Sequence, residues 1–306
     1  MRLGVIDIGT NTLLLLIAER CADGQVRAIT DVCRFGRLGQ GLDASKHLHP
    51  DAIARSLVIC REYRALLDHH HVARTRIIAT QAMREAENAS EFVGPAASLL
   101  GANVETIDGA REAELAYLAQ VHGLPALRGQ PFVVADVGGG STEVVVSDGT
   151  RVVSAVSVPI GAVRLAERHL KHDPPTADDR GALMADIDQH LAPLTLPSGA
   201  TLVASAGTAT NLAAADLALE RYDSERVHGH TIASAAVTKL TDRLLAATVA
   251  ARREIVGIEA QRADVIPAGA AIFARLLARL GAPRMVVSDR GIRWGLAYET
   301  LTSATS

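Results

Sequence analysis

The chain has 306 residues, of which 48% are hydrophobic and only 3% aromatic, so aliphatic side chains must fill its cores. Its formal net charge of −3 excludes the global positive field that attracts nucleic acid, and its longest apolar run, Leu13–Ala18, is far too short to cross a bilayer. The three cysteines lack metal-ligand spacing, and an apolar strand begins at once with no leader-like segment. We therefore expect a cytoplasmic protein without nucleic-acid or membrane partners.

The first half of the sequence predicts three strands followed by alternating helices and strands. The predicted strands are Val5–Ile8, Leu13–Ala18, Gln25–Val32, Arg76–Ala79 and Val104–Ile107. The predicted helices are Asp51–His69, Gln81–Asn88, Glu91–Leu100 and Arg111–Val121.

The second half opens with the same order of elements. Its predicted strands are Phe132–Ala135, Glu143–Val146, Val152–Val158, Thr201–Ala204 and Arg284–Ser288. Four of its predicted helices are Gly161–His172, Thr231–Ala247, Ala263–Leu280 and Ile292–Leu301. Another is predicted to be capped by Thr176, with Asp179 in the third position, and one more to follow Gly207–Thr208. Alternating strands and helices indicate an α/β fold. We expect one domain at 1–118, with the last helix (292–306) packing on it, and a second at 119–291.

Two stretches, 5–12 and 134–141, share one design. Each places an aspartate, Asp7 or Asp136, at the end of an apolar run, then makes a turn rich in Gly, Ser and Thr before a second apolar run. Glycine allows the backbone to approach an anion closely, and successive N–H groups form a concave anion site. Because a carboxylate beside that site would repel bare phosphate, Asp7 and Asp136 predict a bound cation, usually Mg²⁺.

Simpler interpretations of a single loop remain open. A lone Gly-rich turn between strands is usually only a turn, and a dinucleotide-binding loop requires a helix directly after its glycines. Here Val144–Val146 predicts a strand instead. Two matched copies indicate one architecture used twice. If the two loops face each other across a cleft, they would hold a polyphosphate from both sides.

The duplicated opening resembles the two ribonuclease-H-like domains of the actin, sugar kinase and Hsp70 superfamily, which implies an interdomain phosphate-binding cleft. Further segments along the chain are similar to the exopolyphosphatase / guanosine pentaphosphate phosphohydrolase (Ppx/GppA) family. These segments are Ala79–Asn88, Asp108–Ala113, Asp136–Glu143, Ser205–Thr210, Arg226–Gly229 and Ser288–Arg293. The chain resembles the short, two-domain form of that family, without the additional helical C-terminal region.

This resemblance implies roles for individual residues. Glu112 matches the glutamate that activates water, and Arg84 is expected to grip phosphate and stabilise developing charge. The expected phosphate-contacting residues are Thr10, Asn11, Gly138, Gly139, Gly140, Ser141, Gly207 and Thr208. The expected partners of Mg²⁺, or of another divalent cation, are Asp136, Glu143 and Asp7.

Several positions leave alternatives open. Arg111 stands where the family often has Glu, which could alter the charge around Glu112. His228 could be catalytic or structural. Arg164 and Arg168 belong to a basic stretch that could guide a polyphosphate tail, although a solvated face is the default interpretation.

An apolar helix face could be core or a homodimer contact, and core is favoured. Its residues are Ile272, Phe273, Leu276 and Leu277. The adjacent histidines His69–His71 cannot all face one metal ion from a helix, so a solvated helix end is favoured there.

The sequence favours an exopolyphosphatase that binds inorganic polyphosphate and releases orthophosphate from its end. The alternatives are a pppGpp 5′-phosphohydrolase, which would use the same machinery on a nucleotide, and a non-catalytic sensor of pppGpp or ppGpp. Nothing in the motifs separates the two hydrolases, because both substrates end in a phosphoanhydride.

Overall fold

The computed structural model describes residues 2–302 of the chain. Its strands are β1 (Arg2–Ile8), β2 (Thr12–Arg20), β3 (Val26–Phe35), β4 (Arg74–Ala79), β5 (Val104–Thr106), β6 (Phe132–Val137), β7 (Thr142–Ser147), β8 (Val152–Val158), β9 (Thr201–Ser205), β10 (Thr231–Ala233) and β11 (Arg284–Val287).

The α-helices of the described residues are α1 (Leu42–Ser45), α2 (Pro50–His69), α3 (Gln81–Glu85), α4 (Ser90–Leu100), α5 (Gly109–Gly123), α6 (Ala162–His169), α7 (Ala177–Leu191), α8 (Ala206–Asp216), α9 (Ser224–Val227), α10 (Ser234–Ala246), α11 (Val249–Arg253), α12 (Ile266–Leu280) and α13 (Ile292–Thr302). Two 3₁₀ helices cover Pro125–Leu127 and Ala260–Arg262.

The chain forms two compact units. Among the described residues, the first contains 2–122 and 292–302, and the second runs from Gly123 to Gly291. The first sheet has the order β3-β2-β1-β4-β5, and the second has the order β10-β11-β9-β6-β7-β8. In each unit the first three strands form an antiparallel meander, and the fourth strand pairs in parallel with the first. The predicted α/β class is therefore confirmed.

The first hairpins of the two units have the same register. Asp7 pairs with Leu14, and Asp136 pairs with Glu143, so both partners of the second pair stand 129 positions after those of the first. The turns also match, because the Gly9 N–H donates to the Thr12 carbonyl at 2.9 Å and its counterpart Gly138 donates to Ser141 at 3.0 Å. The internal repeat thus extends from the sequence pattern to individual hydrogen bonds.

Each unit has an aliphatic core behind its sheet. In the first, α13 packs against β1 and β2, and the fully buried Tyr63 donates its hydroxyl to the Leu13 carbonyl at 2.6 Å. In the second, α12 is buried along most of its length. Its apolar face, at Ile272, Phe273, Leu276 and Leu277, is fully buried and belongs to the core, as favoured from the sequence.

Most predicted elements are present, and the predicted capping box of Thr176 and Asp179 is confirmed. The helix predicted at Thr231–Ala247 is wrong at its start, because the β-branched residues there form β10 against β11 and the helix begins only at Ser234. The helix predicted from Ala263 begins at Ile266, after a 3₁₀ turn. No helix among residues 2–302 is both long and apolar enough to span a membrane.

Candidate active site

A partly buried ion pair joins Arg84 and Glu112 in the first unit. Arg84 lies on α3, directly after the parallel strand β4, and Glu112 lies in the first turn of α5. The Arg84 Nη1 donates to Glu112 Oε2 at 2.8 Å and to the Ile107 carbonyl at 2.7 Å. Only 10% of the Glu112 side chain is exposed, so this residue is not a solvated glutamate at a helix end. The arginine fixes the orientation of the carboxylate, and the pair joins the two residues expected to be catalytic.

Arg111 pairs with two other carboxylates. Its guanidinium donates to both carboxylate oxygens of Glu299 on α13, at 2.7 and 2.6 Å, and to Glu114 at 2.6 Å. Burial opposes the charged form, but the hydrogen bonds to Glu299 and Glu114 outweigh it and raise the pKa of Arg111. The departure from the family pattern at this position is thus compensated by acidic residues within the same unit.

The first loop is held by residues that the sequence did not single out. Thr10 donates its hydroxyl to Gln81 Oε1 at 3.0 Å, which connects the loop to the helix that carries Arg84. The Thr10 carbonyl accepts from the Gly39 N–H at 2.7 Å, and the Asn11 carbonyl accepts from the Arg37 N–H at 2.9 Å. The available sequence signal was the three glycines at positions 36, 39 and 41, directly after β3.

The second loop is held in a similar way by α6. The Gly139 carbonyl accepts from the N–H groups of Val163 and Arg164, at 2.8 and 3.1 Å. The Arg164 Nε donates to the Gly140 carbonyl at 2.9 Å, and this residue is only 8% exposed. Arg168, one turn later, donates to Asp186 at 3.0 Å. Both side chains thus make hydrogen bonds within the unit, and their guidance of a polyphosphate tail stays a hypothesis.

Asp136 and Glu143 lie opposite each other on β6 and β7, so their side chains share one face of the sheet. Both are buried; Asp136 accepts from the Ser205 hydroxyl at 2.9 Å, and Glu143 accepts from the Ser157 hydroxyl at 2.8 Å. Two oriented carboxylates fit a hard cation such as Mg²⁺, which prefers oxygen ligands and usually takes one or two carboxylates plus substrate phosphates. In the first unit, the equivalent Asp7 lies opposite Leu14.

Within residues 2–302, no group of three or more His, Cys, Asp or Glu side chains forms a cluster able to hold a metal by itself.

Gly207 and Thr208 lie in the first turn of α8, where unpaired N–H groups favour an anion. The residue before them, Ala206, has a φ of 70°, an unusual conformation for a residue other than glycine. The Arg262 guanidinium lies against Gly207, since a Cβ there would stand 2.3 Å from Arg262 Cζ. Arg262, which the sequence analysis missed, donates to Glu259 at 2.7 Å and adds positive charge at this helix start.

His228 joins two backbone segments of the second unit. Its Nδ1 accepts from the Asp289 N–H at 3.3 Å, so its Nε2 carries the proton and donates to the Gly123 carbonyl at 2.9 Å. Burial, together with the Arg290 cation, lowers the pKa of His228 although the Gly123 carbonyl acts in the opposite direction. A neutral imidazole in two backbone hydrogen bonds favours the structural interpretation over the catalytic one.

The solved structures that share this architecture have the two-domain, actin-like fold. The chain is similar to the Ppx/GppA family member from Aquifex aeolicus, with a TM-score of 0.85 and 32% identity over 100% of this chain and 99% of that one. It is also similar to an exopolyphosphatase from Cytophaga hutchinsonii, with a TM-score of 0.91 and 27% identity over 99% of this chain and 98% of that one.

The sequence comparisons identify the family. Residues 17–304 match the model of the Ppx/GppA phosphatase family. Exopolyphosphatase 2 of Mycobacterium tuberculosis is 36% identical over 312 aligned positions, which cover 97% of each chain. The chain therefore belongs to the Ppx/GppA phosphatase family. The predicted family, the two-domain actin-like fold and the enzyme class, a hydrolase acting on phosphorus-containing anhydrides, are confirmed.

Proposed function

We propose that this enzyme is an exopolyphosphatase that removes orthophosphate from the end of inorganic polyphosphate. The observation that carries the proposal is the partly buried Arg84–Glu112 pair, which combines a general base and a cation in one contact. The exopolyphosphatase names of the relatives from Mycobacterium tuberculosis and Cytophaga hutchinsonii support this substrate.

In the proposed reaction, one Glu112 oxygen accepts a proton from a water molecule while the water oxygen attacks the terminal phosphorus. The bond from that phosphorus to the bridging oxygen breaks in line with the attack, and orthophosphate leaves from a chain shortened by one unit. Arg84 holds the Glu112 carboxylate in place and, being positively charged, stabilises the charge that develops on the transferred group. A second hydrogen bond, from Arg84 to the Ile107 carbonyl, helps to position the guanidinium.

We assign phosphate binding to the two loops and to the start of α8. The contacting groups would be N–H groups and hydroxyls of Thr10, Asn11, Gly139, Gly140, Ser141, Gly207 and Thr208. The Gly138 N–H already donates to the Ser141 carbonyl, so Gly138 would contribute by closing the turn. Asp136 and Glu143 in the second unit would hold Mg²⁺ or another divalent cation. In the first unit, Asp7 is the candidate cation ligand. When bound, such an ion would offset the negative charge of the substrate phosphate groups that it contacts.

A phosphate-release assay on the purified protein tests the proposal, comparing long-chain polyphosphate with pppGpp in the presence and absence of Mg²⁺. Glu112→Gln removes the base and keeps the shape of the side chain. Glu114→Gln, on the same helix but paired with Arg111, is the matched control. We expect release mainly from polyphosphate, and a fall of about 10²- to 10⁴-fold in kcat for Glu112→Gln only.

The alternatives give different results in this assay. Release mainly from pppGpp would make the enzyme a guanosine pentaphosphate 5′-phosphohydrolase with the same machinery. Binding of pppGpp or ppGpp without release from either substrate would indicate a non-catalytic sensor. Equal loss in Glu112→Gln and Glu114→Gln would remove Glu112 from its proposed role.

A further inference from the structure

In each unit, the segment that follows the third strand donates hydrogen bonds to carbonyl groups of the phosphate loop. In the first unit, the Gly39 and Arg37 N–H groups, which follow β3, donate to the carbonyls of Thr10 and Asn11. In the second unit, the segment after β8 donates to the carbonyls of Gly139 and Gly140. Since Gly139 stands 129 positions after Thr10, the same carbonyls are engaged in both copies.

In the second unit, this contact depends on the first turn of α6. The N–H groups of Ala162, Val163 and Arg164 donate to the carbonyls of Gly138 and Gly139, at 2.9, 2.8 and 3.1 Å. The next carbonyl, that of Gly140, lies beyond the reach of the helix backbone hydrogen bonds, and the Arg164 side chain binds it through Nε at 2.9 Å.

A loop of three consecutive glycines has unusual conformational freedom, and its peptide groups can present either a carbonyl or an N–H group to a ligand. Only the N–H groups attract phosphate, and a carbonyl oxygen turned toward the substrate would repel it. Engagement of the carbonyls by α6 selects the conformation in which they face away from the ligand. The Arg164 guanidinium therefore binds a group within the protein, in agreement with the burial of this side chain.

We propose that Arg164 and Gly161 are positioning residues that fix the phosphate loop 138–141 in its binding conformation, an inference that rests on the proposed function of this loop. Arg164 acts through its Nε hydrogen bond to Gly140 and not through its charge on the substrate. Gly161 acts through the absence of a side chain. A Cβ at Gly161 would lie 2.5 Å from the Gly139 carbonyl oxygen and 2.6 Å from the Gly140 nitrogen, both backbone atoms.

Three substitutions of Arg164 separate the hydrogen bond from the charge. Arg164→Gln places a neutral N–H donor at the same distance along the side chain as Nε. Arg164→Lys keeps the charge but has a carbon at that position, and Arg164→Met has neither donor nor charge. Arg168→Met, one turn later on α6, removes a partly exposed arginine and is the matched control.

We expect kcat for polyphosphate to fall about 10- to 100-fold in Arg164→Met and Arg164→Lys, since small displacements of a binding group cost rates of this order. Arg164→Gln should recover most of the loss, and Arg168→Met should resemble the unaltered enzyme. The salt dependence of KM should be the same in all four variants. Activity retained in Arg164→Lys but lost in Arg164→Gln would show that charge is what matters and would overturn the proposal, as would equal activity in all three Arg164 variants.

Gly161→Ala tests the other half of the proposal. To reach ordinary contact at 3.4 Å from 2.5 Å, the loop must move by about 0.9 Å. The control is Gly181→Ala on α7, where a Cβ meets nothing within 4 Å. We expect kcat to fall at least 10-fold in Gly161→Ala alone, by the same displacement argument.

Hydrogen–deuterium exchange of the peptides covering 138–146 and 159–166 gives a readout that does not need activity. Arg164→Met and Gly161→Ala should exchange faster than the unaltered protein at Ala162, Val163 and Arg164, or at the residue that replaces Arg164. Unchanged exchange would overturn the proposal. If the unaltered protein releases no phosphate, the proposed function fails, and the exchange comparison still decides whether these residues fix the loop.

Discussion

Gly295 is the residue at which one added methyl group should disturb the proposed catalytic base from a distance. It is buried on α13, and a Cβ there would lie 2.0 Å from the Leu115 carbonyl oxygen and 2.7 Å from its carbon. Leu115 follows Glu112 by one helical turn on α5. Because the obstructing atoms are backbone, no rotation of a side chain relieves the contact in Gly295→Ala.

The geometry sets the size of the effect. A separation of 3.4 Å requires a displacement of about 1.4 Å between α5 and α13. Overpacking in a close-packed interior costs about 1–3 kcal/mol, which corresponds to a fall in Tm of roughly 2–5 °C for a protein of this size. If α5 moves by about 1 Å at Glu112, we expect a loss of about 10²-fold in kcat.

The measurement is thermal unfolding together with phosphate release at a temperature where Gly295→Ala stays folded. Gly181→Ala controls for the general effect of replacing a helical glycine, and should stabilise the protein by about 0.4–1 kcal/mol. A Gly295→Ala protein with unchanged Tm and unchanged kcat would refute the argument from close backbone approach. A lower Tm with unchanged kcat would refute its second step, the transmission to Glu112.

Three further predictions follow from contacts described above. A double-mutant cycle on Arg111→Ala and Glu299→Ala should give a coupling free energy of unfolding of about 1 kcal/mol, since the pair is partly exposed. Because the pair does not include Glu112, kcat should stay within about threefold, and a loss of activity as large as that of Glu112→Gln would contradict the separation of this pair from Glu112. Burial and the Arg290 cation lower the pKa of His228, so the unfolded state binds a proton more readily than the folded state. The free energy of unfolding, measured with urea, should therefore fall as the pH drops through 6.5, and His228→Gln should flatten that part of its pH dependence. Burial raises the pKa of the Cys60 thiol to about 12, so a thiol reagent should label two of the three cysteines in the native protein and all three after unfolding, and native labelling of Cys60 would contradict its burial.

The sequence was sufficient for the parts of the fold that local pattern determines. The duplicated hairpins could be predicted because alternation and turn residues define their strands, and the hairpin then places Glu143 opposite Asp136 without further information. Arg84 and Glu112 were singled out by resemblance, and their contact joins elements 28 residues apart. Their roles and those of the loop residues stay predictions.

Other features depend on the path of the chain in three dimensions, which local pattern does not determine. The hydrogen bonds from Arg37 and Gly39 to the first loop, and from Arg164 to the second, depend on where the chain runs after the third strand of each unit. The contact of Arg111 with Glu299 spans 188 positions. Strand β10 has only three residues, too few for a recognisable alternation, and the helix that follows it extended the predicted helical pattern backward.

His228 has a consequence for how this chain can be divided and recombined. The second unit is a continuous segment inserted into a first unit that lies on both sides of it in the sequence. The imidazole of His228 contacts Gly123, the first residue of the insertion, and Asp289, two positions before its last, so the insertion begins and ends at neighbouring points. A segment whose ends meet can be replaced by a related segment, or joined end to end as a circular permutant, without altering its own strand order. One imidazole ring thus marks the boundary at which two such enzymes could exchange whole domains.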